Sequence, residues 1–392
     1  MNYRQLFFQH IAQTSNIPIG LEIVKAEGIY QFDVNGKKFI DLISGFNVAN
    51  IGHSHPKVVE AVQKQVAQYM HLIVYGEFIE APQVAYAKLL TDNLPSTLNS
   101  VYFTNSGTEA TEGAMKLAKR FTNRSKIIAF NKSYHGSTQG ALSIMGDEYW
   151  RNSYRPLLPN VYHFKYGSDE VLEEIDDETA CVILETVQAE SAIHKPSKEW
   201  LQALRKKCNE QGALLILDEV QCGFGRTGTL WAFEQFDIAP DILLLGKALG
   251  GGLPLGAFIA DKNLMNVFTH NPVLGHITTF GGHPVSCAAG KAALDVLLQT
   301  HLMADVSRKE KIVREQIHAE KIIEIRSCGL WASLQFENFD TNKKIIQRCI
   351  ENGLITDWFL FAPECMRICP PLIISDDELV HACNFINKAL DF

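Results

Sequence analysis

The chain has 392 residues, 46% hydrophobic and 20% charged, enough apolar material for a large core and for about two domains. Its 36 Lys and Arg against 44 Asp and Glu give a formal net charge of −8. That balance, with no run of five basic residues, argues against a general nucleic-acid or membrane-surface role.

The first ten residues lack the long apolar stretch and cleavage site of a leader. No later apolar run approaches the ~20 residues of a membrane span. A soluble, cytoplasmic protein is expected, with no nucleic-acid or membrane partner. Residues 1–50 read as an irregular arm followed by a hairpin, because two alternating runs flank Asn35-Gly36. Residues 101–104 read as a strand. Residues 108–121 read as a helix with Ala110, Ala114, Leu117, Ala118 and Phe121 on one face. Short apolar runs at 126–130, 180–184, 213–217, 241–245 and 255–260, with a helix at about 197–211, give the βαβ alternation of a mostly parallel, doubly covered sheet. The last hundred residues mix helices with strands at 332–336 and 366–369, and end in a helix carrying Leu379, Cys383, Ile386 and Leu390 in register. Nine irregularly spaced cysteines form no Cys-x-x-Cys pair. They read as free buried thiols in a reducing compartment, and no metal site is expected.

Two polar residues interrupt this apolar pattern. Asp218 ends the run 213–217 and Lys247 follows the run 241–245. Both are expensive to bury without a partner or a task. Pyridoxal phosphate needs such a pair, a Lys for a Schiff base and a carboxylate for its pyridinium nitrogen. Asn105-Ser106-Gly107-Thr108 joins a strand to a helix and suits either a phosphate or an ordinary N-cap. Gly223-Phe-Gly-Arg-Thr-Gly matches a dinucleotide fingerprint in letters only, since polar and bulky residues separate it from the strand and no clear helix follows. Tyr134, in Tyr134-His135-Gly136, either stacks on a planar cofactor or packs in the core. Arg367, inside an apolar segment, either pairs with a buried carboxylate or binds a substrate carboxylate by its fork.

Taken together these segments resemble the class III aminotransferases, the ornithine, acetylornithine and 4-aminobutyrate transaminase family of fold-type I pyridoxal phosphate enzymes. The likeness runs from Gly28-Ile-Tyr through Gly52-His-Ser-His-Pro, Asn105-Ser-Gly-Thr-Glu-Ala, Tyr134-His-Gly, Glu185-Thr-Val-Gln-Ala-Glu, Leu217-Asp-Glu-Val-Gln, Gly246-Lys-Ala-Leu-Gly-Gly-Gly and Thr278-Thr-Phe-Gly-Gly-His-Pro to Met366-Arg-Ile-Cys-Pro-Pro-Leu.

The resemblance implies an α/β fold. A large domain at 51–295 would carry a mostly parallel sheet and the cofactor. The segments 1–50 and 296–392 would form a small α+β domain. It implies that Lys247 holds pyridoxal phosphate and that Asp218 faces its ring nitrogen. Gln221 would reach its phenolic oxygen, and Tyr134 would stack on its ring with His135 beside it. Ser106, Gly107 and Thr108 would hold its phosphate. Thr279 would complete the phosphate site of the other subunit, so a homodimer with shared active sites is expected. Glu190 and Arg367 match the pair that switches the site between substrates, and Phe46 and Val48 would line the substrate pocket. Two positions depart from the ornithine-type pattern. Ser137 stands where those members carry Arg, and Asn16 where they carry a substrate-binding Tyr. The expected reaction is therefore transamination of another ω- or β-amino acid, or an amine, with 2-oxoglutarate as acceptor. The alternatives are pyruvate as acceptor, or an aminomutase, decarboxylase or racemase on the same fold.

Overall fold

The structure is a computed structural model and describes residues 2–391. The expected irregular arm contains a helix, Tyr3–His10, closed by a capping box between Asn2 and Gln5 and burying none of its residues. Strands β1 (Ile23–Glu27), β2 (Tyr30–Asp33) and β3 (Lys38–Asp41) then form an antiparallel meander. The β2–β3 turn is the one expected at Asn35-Gly36. Asp33 Oδ1 accepts the Asn35 and Lys37 N–H groups at 2.9 and 2.8 Å, and Gly36 takes φ 79°.

The large sheet has seven strands: β4 (Ser100–Thr104), β5 (Lys126–Phe130), β6 (Val161–Phe164), β7 (Thr179–Glu185), β8 (Leu214–Asp218), β9 (Ile242–Leu245) and β10 (Gly256–Ala260). Their order is β4-β10-β9-β8-β7-β5-β6. All neighbours run parallel except β10, which is antiparallel to both β4 and β9. Strands β7, β8 and β9 are buried along their whole length, which is why they read as unbroken apolar runs. Strand β6 lies at the sheet edge with Tyr162 exposed, and its mixed residues gave no apolar run to read.

The helix Gly107–Thr122 starts at the Ser106 cap and ends at Asn123 in the left-handed region. Ala110, Ala114, Leu117 and Ala118 are buried as expected, while Phe121 in the last turn is exposed. A Cβ on Gly113 would meet the Phe258 ring at 2.3 Å, so a glycine lets this helix lie close on β10.

The C-terminal part adds β11 (Glu324–Ser327), β12 (Ala332–Gln335), β13 (Leu354–Ile355), β14 (Trp358–Phe359) and β15 (Ala362–Ile368). Four of them form an antiparallel sheet in the order β11-β12-β15-β14. Strand β13 instead pairs in parallel with β3, Leu354 opposite Ile40. The two ends of the chain therefore share one sheet, in a small α+β part beside the large one. The closing helix Asp376–Leu390 buries Leu379, Cys383, Ile386 and Leu390. Helix Pro284–Leu298 crosses the boundary expected at 295. All nine cysteines are buried and unpaired. Among the described residues no helix is long and apolar enough to cross a membrane.

Candidate active site

Parallel strands present their carboxyl ends at one edge of the sheet, where open α/β folds bind ligands. Here β7 ends in Glu185, β8 in Asp218, and β9 is followed by Gly246 and Lys247. These groups face a cavity of about 290 Å³ lined by Gly107, Thr108, Tyr134, Gly136, Ser137 and their neighbours. Lys247 has φ 49°, an uncommon conformation for a side chain with a Cβ. The residue before it must be small, because a Cβ on Gly246 would lie 3.1 Å from Val220 and 3.4 Å from Gly107. No hydrogen bond or ion pair among the described residues engages Lys247 Nζ. Burial pushes the pKa of this amine down, while the nearby Glu190, Asp218 and Glu185 carboxylates oppose the shift.

Asp218 is held at both oxygens. Oδ2 lies 2.7 Å from His135 Nδ1, and Oδ1 accepts the Val220 N–H at 2.9 Å. His135 Nε2 is buried with no partner. Glu185 accepts the Tyr134 N–H at 3.0 Å and the Ala189 N–H at 2.9 Å. Burial pushes its carboxyl up to about 7, with Asp218 adding to the rise and His135 and the two N–H groups opposing it. Tyr134 forms one wall, its hydroxyl 3.0 Å from Ser137 Oγ.

The amino end of the helix Gly107–Thr122 opens on the same cavity through Gly107 and Thr108. The first N–H groups of a helix have no intrahelical acceptor, and the dipole favours an anion there. Thr108 Oγ1 lies 2.7 Å from Thr138 Oγ1. A Cβ on Gly136, whose φ is 123°, would sit 2.1 Å from Thr108 Oγ1, so only glycine fits. Ser106 caps the helix, accepting the Glu109 N–H at 3.3 Å, and is not among the lining residues.

Gln221 joins this cavity to a second cluster. Its Nε2 donates to Glu190 Oε1 at 3.0 Å, and its Oε1 is buried without a partner. Arg367 grips Glu190 with its fork, Nη1 to Oε1 at 3.3 Å and Nη2 to Oε2 at 2.9 Å. Leu360 N–H adds a bond to Glu190 at 3.1 Å. Burial works against the Glu190 charge, but Arg367 and these donors hold its carboxyl at about 2. Arg367 is 1% exposed, and its guanidinium carbon lies 4.3 Å from the Phe359 ring centre and 5.3 Å from that of Phe46. Its Nε donates to Asp357 Oδ1 at 3.0 Å.

Phe46 reaches this position from an unusual turn. Ser44, Gly45, Phe46 and Asn47 all take φ between 49° and 63°, a left-handed turn that is costly for non-glycine residues. Asp41 Oδ1 braces it by accepting the Ile43 and Ser44 N–H groups at 2.8 and 2.9 Å. Ser44 Oγ donates to Cys369 O at 2.5 Å. The buried Arg226 adds bonds to Ser44 Oγ and Asn50 Oδ1 at 3.3 and 2.7 Å. Arg226 belongs to the Gly223-to-Gly228 segment, so that glycine-rich run serves as a buried brace.

Not every expected residue meets in one place. Val48 lines a separate apolar cavity with Val58, Val62 and Leu253, because the left-handed turn sends it away from Phe46. Thr279, expected at the other subunit's phosphate site, is exposed and does not line its own chain's cavity, while its neighbour Thr278 accepts a bond from Asn105 Nδ2 at 3.1 Å. Asn16 lies exposed in the N-terminal arm. Sequence reasoning gave no role to Glu185 and did not note Asp357. Glu185 carried a readable signal, since it ends a buried apolar strand just as Asp218 does. Asp357 carried only weak signal, a lone carboxylate in Thr356-Asp-Trp-Phe.

An unengaged lysine, a doubly fixed carboxylate, an aromatic wall and a helix amino end around one cavity define a pyridoxal phosphate enzyme of the α/β type. The chain belongs to the class III aminotransferases: the family described as Aminotransferase class-III matches residues 11–390. It is 40% identical to the acetylornithine aminotransferase of Methanopyrus kandleri, over 100% of this chain and 99% of that one. It is 37% identical to the acetylornithine aminotransferase of Bacillus cereus, over 94% and 95% of the two chains. Among solved structures, the ornithine aminotransferase of Toxoplasma gondii superposes with a TM-score of 0.91 at 28% identity, covering 99% of this chain and 93% of that one. In that structure pyridoxal phosphate partly occupies the active site.

The residues present fit this cofactor. Lys247 Nζ and Gln221 Oε1 lack partners at the cavity, and Gly136 and Gly107 keep the helix amino end clear of side chains.

Proposed function

We propose that this enzyme transfers the amino group of an ω- or β-amino acid, or of an amine, to 2-oxoglutarate, as a cytoplasmic homodimer whose chains share each active site. The observation that supports an α-oxo acid as acceptor is the buried Arg367–Glu190 fork, one residue from the cavity through Gln221. A planar guanidinium bound bidentately is suited to a carboxylate. Glu190 covers it when the amine enters and yields it to the α-carboxylate of the oxo acid.

Pyridoxal phosphate, when bound, supplies the carbonyl carbon that takes the amine and a ring that accepts electrons as the substrate Cα–H bond breaks. Lys247 would attach it, and Lys247 Nζ, once released, would take and return the proton. Burial favours the neutral amine that such a base must be. Asp218 would face the ring nitrogen and favour its charged form. Tyr134 would pack on the ring with His135 behind it, and Gln221, whose Nε2 is held by Glu190, would meet the phenolic group with Oε1, an atom that only accepts. Gly107, Thr108 and the Ser106 turn would hold the phosphate. Phe46 closes the substrate side over Arg367.

The partner's copy of the segment around Thr279 completes the phosphate site. Its exposed Val273, Ile277 and Phe280 support an interface there. Ser137, tied to Tyr134, supplies no cation for the carboxylate of an ornithine-type donor, which favours a different amine. The likeness to acetylornithine aminotransferases supports an ω-amino donor.

A panel of donors against 2-oxoglutarate and pyruvate tests the proposal, with ornithine, N-acetylornithine, 4-aminobutyrate, β-alanine and simple diamines in it. Faster turnover with 2-oxoglutarate and weak activity with ornithine are expected. Equal use of pyruvate would remove the acceptor assignment.

A further inference from the structure

The guanidinium of Arg367 is held on two edges by two different carboxylates. Its fork, Nη1 and Nη2, meets Glu190 at 3.3 and 2.9 Å. Its Nε edge meets Asp357 Oδ1 at 3.0 Å. Both partners are buried, at 8% and 9% exposure. The two are anchored differently. Asp357 immediately precedes β14, and its carbonyl accepts the Arg367 N–H at 2.9 Å, so Asp357 and Arg367 are locked together by backbone. Thr356 Oγ1 adds a bond to Arg367 O at 2.5 Å. Glu190 comes from the separate segment after β7 and is steadied by Gln221 and Leu360.

We infer that Asp357 is a positioning residue for the carboxylate anchor: it holds Arg367 by the Nε edge, so that the fork passes from Glu190 to a substrate carboxylate without the guanidinium turning away. This rests on the reading of Arg367 as that anchor. With Glu190 displaced and Asp357 absent, the guanidinium would keep only the 3.4 Å contact from Nη2 to Trp358 O and the two aromatic faces. A buried, uncompensated cation is costly and would seek other acceptors. With Asp357 in place, its charge stays compensated and its fork stays aimed while one carboxylate replaces another. The exchange is then like for like, which lets Glu190 be released without a large change in local charge.

The test uses the enzyme loaded with pyridoxamine phosphate and reacted with 2-oxoglutarate by stopped flow. It compares wild type, Asp357→Ala, Asp357→Asn and Arg367→Lys. Asp357→Ala should raise the 2-oxoglutarate dissociation constant about tenfold, the size of one lost charge-assisted contact. The limiting rate should change several-fold less. Asp357→Asn keeps an oxygen that accepts from Nε but not the charge, so it should recover part of the affinity. Wild-type affinity in Asp357→Ala, with Arg367→Lys clearly weakened, overturns the role of Asp357 and leaves the anchor standing. Equal losses of affinity and limiting rate in both Asp357 variants show a structural role only and overturn it as well. If Arg367→Lys binds 2-oxoglutarate like wild type, or wild type does not react with it, the anchor reading itself fails and takes this one with it.

Discussion

Asp218 Oδ2 and His135 Nδ1 lie 2.7 Å apart, joining the end of β8 to the segment after β5. The imidazole donates from Nδ1, and the second Asp218 oxygen is taken by the Val220 N–H. The carboxylate is therefore fixed in orientation before anything binds, as preorganised electrostatic stabilisation requires.

Asp218→Asn should keep the fold and retain cofactor but lose turnover on the order of 10²- to 10³-fold, the scale of one removed preorganised contact. An amide must also point its NH₂ at one of two existing donors, His135 Nδ1–H or Val220 N–H. Steady-state rates with matched cofactor content check this. Near-normal turnover would show that the ring nitrogen does not depend on this carboxylate.

The proposed sharing of each site between two chains makes a complementation prediction. Lys247→Ala and Thr279→Ala should each be inactive alone. After subunit exchange, a mixed dimer has one site carrying both defects and one carrying neither, so about a quarter of full activity should return in an equal mixture. Sizing as a dimer and recovery of activity are both required; monomers with no recovery would dismiss the shared phosphate site.

The ends of the buried strands carry the part of the site that is legible in sequence. Asp218 and Lys247 were visible because each interrupts an apolar run, and strands β7 to β9 were visible because both faces are buried. The reading failed where the deciding contacts are long-range. The left-handed turn at Ser44–Asn47 depends on Asp41, Arg226 and Cys369 O, none adjacent to Phe46 in sequence. It sends Phe46 toward Arg367 and Val48 toward a different cavity. Asp357 matters only because β14 and β15 pair, a relation invisible in composition. The N-terminal helix buries none of its residues, and its apolar set Tyr3, Leu6 and Phe7 spans only about one turn, too short to announce a helix.

Glu219 offers a stability test away from the cofactor cavity. It is fully buried and accepts the Ala232 and Phe233 N–H groups, both at 2.7 Å, and the Thr186 hydroxyl at 2.9 Å. Burial pushes its carboxyl up to about 7 against the pull of those donors. A folded value above the unfolded one means that the folded chain holds the proton longer, so this group's contribution is full below about 4.5 and is lost as pH rises toward 7. Glu219→Gln should destabilise the protein by about 1–3 kcal/mol, since one backbone donor loses its acceptor. The deficit should narrow between pH 5 and pH 7, where only the wild type loses this contribution. Thermal denaturation across that range decides it, and a deficit that widens with pH reverses the sign argument.

The most direct measurement concerns Lys247. The purified enzyme with pyridoxal phosphate should be reduced with borohydride, digested and mapped by mass spectrometry. A single pyridoxyl adduct is expected on the peptide carrying Lys247 in Gly246-Lys-Ala-Leu-Gly, with none in Lys247→Ala. An adduct on a different lysine, or unchanged labelling in Lys247→Ala, would contradict it.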